Sequence, residues 1–132
     1  MKPLIIRGNV WRVVRVNPGD PFLIDRTNTL RIATTDPITK TIRISKAILP
    51  PIFDQVYLHE AAHVAMIETN LPELLSVGGK SDTTLTEELL AWFLESYSVE
   101  IINAVNESLG RPVCIKGLCA KGLNDGIARS VS

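Results

Sequence analysis

The chain changes character at Pro50 and Pro51. Before them, from Leu4 to Ser45, short runs of apolar and alternating residues are separated by NPGDP, DRTN and TTDPIT, which are rich in turn-forming residues. After them, Ile52 to Thr69 and Thr84 to Leu109 run without a glycine or proline. The first pattern is that of strands, at Val10 to Val16, Pro21 to Asp25, Leu30 to Thr34 and Lys40 to Ser45. The second is that of two long helices, the first opened by the proline pair. Strands first and helices second predict an α+β domain: a small antiparallel sheet of three to four strands joined by hairpins, followed by two long helices.

Length and composition bound what such a domain can do. At 132 residues the chain is expected to be one domain burying roughly two-thirds of its unfolded surface. Residues 1–50 carry the sheet, 51–110 the helices and 111–132 a glycine-containing, weakly periodic C-terminal tail. Fourteen basic and fourteen acidic side chains leave no net charge, so no polyanion-binding surface is expected and nucleic acid is not favoured as a partner. No run approaches the ~20 apolar residues of a membrane span, and the N-terminus lacks a secretory apolar core, so a soluble cytoplasmic protein is expected. Cys114 and Cys119, the only cysteines, are too few for a structural zinc site and are expected to be reduced thiols. The connection from Leu71 to Asp82 holds Gly78 and Gly79 and is expected to be mobile, with room for one helical turn at Pro72 to Leu75.

Within the first long helix stands YLHEAAHVA, Tyr57 to Ala65, which contains both histidines of the chain, His59 and His63. Residues four apart lie one turn above each other, so two imidazoles can face a single metal ion. Zn²⁺ fits this spacing, and Glu60 points to the side of the same ion, where it can take a proton from a metal-bound water. The neighbours Val56, Leu58, Ala61, Ala62, Val64 and Ala65 suit a helix packed inside a domain. The competing reading, two satisfied core histidines, leaves Glu60 on an apolar helix with neither a role nor a partner.

A catalytic zinc takes three protein ligands and keeps one open position. With no third histidine the remaining ligand must be a carboxylate, and the second helix offers Glu87, Glu88 and Glu95. At 100° per residue its apolar face runs through Leu89, Leu90, Phe93, Leu94, Tyr97, Ile101, Ala104 and Val105. Glu87 falls at the margin of that face, whereas Glu88 and Glu95 fall on the far side. Glu87 is the candidate ligand and Glu88 the alternative, because the helix register could slip by one at its start.

HEAAH on one helix, with EELLAWF some two dozen residues later on a second, resembles the gluzincin-type zinc metallopeptidases, in particular the small ImmA/IrrE-like proteins of phages and bacteria. Their second-helix pattern, Glu-x-x-Ala-Asn-x-Phe, aligns Glu87, Leu90, Ala91 and Phe93; Leu90 stands where the family has Ala and Ala91 where it has Asn. The resemblance spans Val56 to about Leu94. It implies a minimal zincin fold and a peptide or protein substrate bound in extended form along an edge strand, for which Lys40 to Ser45 is the candidate. Tyr97 is expected in the core rather than as an oxyanion donor, and Arg43 on a solvated strand face. The function expected is zinc-dependent peptide hydrolysis with Glu60 as general base. The alternative is a non-catalytic module that keeps the zincin scaffold to bind a partner protein. Neither substrate identity nor oligomeric state follows from the residues.

Overall fold

The computed structural model of the protein describes residues 1–25, 27–71, 83–115 and 118–120. The expected turn at Pro72 to Leu75, the Gly78–Gly79 connection and the end of the tail lie outside the described residues. Strand β1 (Leu4–Ile6) turns back onto β2 (Asn9–Val16) through Arg7 and Gly8. Both turn residues have positive φ, 53° and 78°, the backbone twist that two-residue hairpins require. The chain then makes a 3-10 turn at Pro21–Leu23, strand β3 (Ala33–Asp36), a second hairpin and strand β4 (Thr41–Ser45).

The class is α+β, as expected, but the sheet is not antiparallel throughout. Its order is β1-β2-β4-β3, with β4 parallel to β2 and antiparallel to β3. The β3–β4 hairpin forms as a local unit, and β4 inserts between β2 and β3 instead of standing outside them. This corrects the expectation that Lys40 to Ser45 is an edge strand. Ile42 and Ile44 are fully buried, and the alternating Arg43, which made the strand look half-solvated, gives its charge to Asp36 at 3.2 Å and stacks on the Phe22 ring at 4.2 Å. The edge on that side is β3. PFLID is also not a strand: the Asp20 side chain accepts from the Phe22 N–H at 2.9 Å, and Pro21 opens the 3-10 turn, so capping chemistry overrides β-propensity. The run LRIAT joins the sheet only from Ala33.

Helix α1 (Pro50–Glu68) has its prolines in the first turn and ends before Asn70, whose φ is 57°, a left-handed stop. It buries Phe53, Tyr57, Ala61, Val64 and Ala65, a stripe at helical spacing laid against Trp11 and the β4 isoleucines in one core. Helix α2 (Thr83–Leu109) is stopped by Gly110 at φ 73°. Its buried stripe runs through Phe93, Ile101 and Val105, but Leu90 is 41% and Leu94 61% exposed, so the apolar face expected from the helical wheel is packed chiefly in its C-terminal half. No helix among the described residues is long and apolar enough to cross a membrane.

The beginning of the tail is better ordered than its composition suggested. Strands β5 (Val113–Ile115) and β6 (Leu118–Ala120) pair antiparallel, with Cys114 opposite Cys119, and Cys114 is disulfide-bonded rather than the reduced thiol expected. Asp54, buried on α1, anchors this hairpin. It accepts from both terminal nitrogens of Arg111, at 2.6 and 2.7 Å, and from the Cys114 N–H at 2.7 Å. The Arg111 hydrogen bonds hold the Asp54 carboxyl below its ordinary range, with the Cys114 amide adding to the effect and burial opposing it.

Candidate metal centre on the first long helix

The packing of α1 arranges the candidate site. Its core stripe fixes the rotation of the helix about its axis, and that rotation leaves His59 and His63 exposed while burying Glu60. The two imidazoles meet edge to face with ring centres 4.9 Å apart, and their Nε2 atoms are 3.2 Å apart. Two nitrogens bound to one tetrahedral zinc at about 2.0 to 2.1 Å stand about 3.3 to 3.4 Å from each other. The two ring nitrogens therefore stand at zinc-chelating separation on a solvent-facing surface. The same separation also suits one imidazole N–H donating to the other ring.

Glu60 is turned the other way, under the sheet. Thr35 on β3 donates its hydroxyl to Glu60 Oε2, and the same hydroxyl lies 3.5 Å from the Glu60 carbonyl oxygen. Glu60 is only 7% exposed, yet it forms no ion pair among the described residues. No buried side-chain oxygen or nitrogen there lacks a partner, so Oε1, which bonds to no described group, must reach solvent. One carboxylate oxygen is held and the other is left open.

The remaining acids do not complete a metal site. Glu87, Glu88 and Glu95 are all exposed on α2, and Glu87 does not sit at a core margin as its wheel position suggested. Among the described residues no three His, Cys, Asp or Glu side chains gather so as to hold a metal ion. The structure thus brings His59 and His63 together and leaves Glu87 and Glu88 apart from them; the donor set fits two ligands of a zinc ion and lacks the third. Glu68, one turn beyond His63, is already engaged by Trp11 Nε1 at 2.9 Å and Lys40 Nζ at 3.3 Å. Tyr97 is half-buried, with its hydroxyl accepting from Arg7 Nη1 at 2.9 Å.

Thr35 is the residue that reading the sequence missed. It sits in TTDPIT, where Asp36 and Pro37 announce a turn, and nothing local signals that the strand before the turn reaches the helix carrying HEAAH. Its partner is 25 residues away. No protein-family model matches the chain, and neither a curated protein nor a solved structure does.

Proposed function

We propose that the protein is a zinc-dependent peptidase. The observation that carries this reading is the exposed His59–His63 pair, with Nε2 atoms 3.2 Å apart; Glu60, on the same helix but turned toward the sheet, keeps one oxygen open. His59 and His63 would hold the ion, with Glu87 as third ligand and Glu88 as the alternative. Both acids lie on the part of α2 where Leu90, Trp92 and Leu94 are 41%, 42% and 61% exposed and Phe93 is buried. A zinc ion bound there would supply a Lewis acid for the scissile carbonyl and an acidified water. Glu60 would take a proton on its open oxygen and return it to the leaving amine. An extended peptide would add to β3, which among the described strands pairs only with β4 and stands beside Glu60, its backbone completing the sheet.

Two measurements test the reading together. Elemental analysis is expected to find one zinc per chain in the wild type and none in His63→Ala, with loss in Glu87→Ala or Glu88→Ala naming the third ligand. Glu60→Gln is expected to retain zinc and lose hydrolysis of a fluorogenic peptide library by at least about 100-fold. Full activity of Glu60→Gln would remove the general base assigned here. A second reading, a zincin-like scaffold that binds a partner protein without catalysis, draws on the lack of a third ligand among the described residues. It predicts no metal in the purified protein and no turnover.

A further inference from the structure

The β5–β6 hairpin is held to the rest of the domain through one of its two strands. Val113 is fully buried and its N–H donates to Asn106 Oδ1 of α2 at 2.8 Å, while the Cys114 N–H donates to Asp54 of α1 at 2.7 Å. Strand β5 packs against both helices, whereas β6 packs chiefly against β5. Cys114 is disulfide-bonded, and Cys119, the only other cysteine of the chain, stands opposite it. We infer that the Cys114–Cys119 bridge is a redox modification site: a dithiol reductant opens it in the folded protein and unfastens β6, while β5 stays seated on α1 and α2.

The register explains what the bridge holds. Because the Cys114 N–H points out of the ladder to Asp54, Cys114 and Cys119 face each other as a pair without mutual backbone hydrogen bonds. Opposed residues in such pairs have Cα atoms about 4.5 Å apart, closer than in hydrogen-bonded pairs, and their side chains meet. The bridge is thus the cross-strand tie where the ladder itself supplies none. It closes only the short run from Cys114 to Cys119, and a short closed loop restrains the unfolded chain less than a long one, so its loss falls on β6 and not on the domain. Cys114 is half-buried rather than enclosed, and a small reductant needs no unfolding to reach the bridge. One thiolate of the dithiol attacks a bridge sulfur, forming a mixed disulfide and releasing the other cysteine as a thiolate that takes up a proton. The second thiol, losing its proton, displaces the first cysteine in the same way and closes the reductant's own disulfide. Two electrons and two protons pass to the bridge, leaving two cysteine thiols. The Cys114 sulfur lies 3.7 Å from the Pro112 carbonyl oxygen, an acceptor for the freed S–H that requires no movement of β5.

The test treats the full chain with dithiothreitol under native conditions and compares amide hydrogen exchange before and after, with iodoacetamide labelling and mass measurement to count free thiols. The protein equilibrated with oxidised glutathione is expected to take up no iodoacetamide, and the reduced protein to label at both cysteines, reversibly on reoxidation. Reduction is expected to speed exchange of the Leu118 and Ala120 amides by at least about 10-fold and to leave those of Val113 and Cys114 within about threefold. The double variant Cys114→Ser, Cys119→Ser is expected to match the reduced protein and not to respond to dithiothreitol. Free thiols in the oxidised sample, a bridge that opens only in denaturant, or unchanged exchange in β6 would each overturn the inference. So would equal acceleration at Val113 and Cys114 or a double variant that does not fold, since either would make the bridge a staple of the whole domain. No arm of the test reads turnover, so its outcome is separate from that of the peptidase reading.

Discussion

Helix α1 buries two carboxylates, Asp54 and Glu60, less than two turns apart, and the fold treats them in opposite ways. Asp54 is 2% exposed, is gripped on both oxygens by Arg111 and accepts the Cys114 amide as well. Its charge is neutralised and its hydrogen-bonding capacity is used to fasten the β5–β6 hairpin to α1. Glu60, 7% exposed, has one neutral hydroxyl for a partner and an oxygen left over. A carboxylate that only stabilised the fold would be expected to look like Asp54, since an ionised group shut away from water is costly unless it is paired. The difference separates a carboxylate whose hydrogen-bonding capacity is spent on the fold from one with an oxygen left over.

The largest expected effect breaks the structural side of the comparison. Asp54→Ala leaves the Cys114 amide without its acceptor and Arg111 without its partner. Because Arg111 is half-exposed and can turn to water, the loss is set at about 2 to 4 kcal/mol rather than the upper end of buried-pair disruptions. Urea unfolding followed by circular dichroism measures it. A loss below about 1 kcal/mol would mean that the hairpin is held by its apolar contacts alone.

The same pair gives the comparison a pH dependence. Asp54 has a folded-state pKa below its unfolded value, so its contribution is fully present above the ordinary aspartate range, near pH 4, and is lost as the pH falls through the depressed folded value. Asp36 and Asp25, also held low by hydrogen bonds from threonine hydroxyls and from Arg43 or Arg31, act in the same direction but are far less buried. Wild-type melting temperature is therefore expected to fall as the pH drops from about 5 toward 2, and Asp54→Ala to show a shallower fall. Parallel curves for the two proteins would show that Asp54 is not the dominant acid-labile group.

A smaller effect concerns the buried hydroxyls between α1 and α2. Tyr57 and Ser108 share a hydrogen bond, and Ser108 also donates to the Lys2 carbonyl. Burial raises the Tyr57 hydroxyl to about 12 against the opposing Ser108 bond, so it stays protonated at any pH where the protein is handled. Tyr57→Phe is expected to cost about 1 kcal/mol, with no pH dependence between 6 and 9, measured by the same denaturant titration.

How much of this was legible depends on whether the physics was local. His59 and His63 met as expected because their approach needs only the helical repeat, and the boundaries of α1 follow from Pro50, Pro51 and Asn70. The central position of β4 was hidden because Arg43 reads as a solvent-facing charge until Asp36, seven residues earlier, folds back to neutralise it. The disulfide was hidden for a similar reason: C-x4-C does not show that two strands pair so as to set Cys114 opposite Cys119. Glu87 was placed by a helical wheel, which gives the direction of a face but not the point along the helix where packing stops. Thr35 carries no pattern of its own, since what defines it is a contact across 25 residues.

The smallest expected effect is the sharpest test of the contrast between the two carboxylates. Glu60→Gln preserves shape, and its amide oxygen can accept from Thr35 in place of Oε2 while the amide nitrogen takes the position of the oxygen that reaches solvent. The substitution breaks no ion pair among the described residues, so stability is expected to change by less than about 1 kcal/mol in either direction. Differential scanning calorimetry at neutral pH should show nearly superimposable transitions for Glu60→Gln and the wild type, beside the large displacement of Asp54→Ala. If Glu60→Gln instead destabilised the protein as much as Asp54→Ala, Glu60 would be a second structural anchor. The asymmetry on which the proposed proton-transfer role rests would then be gone.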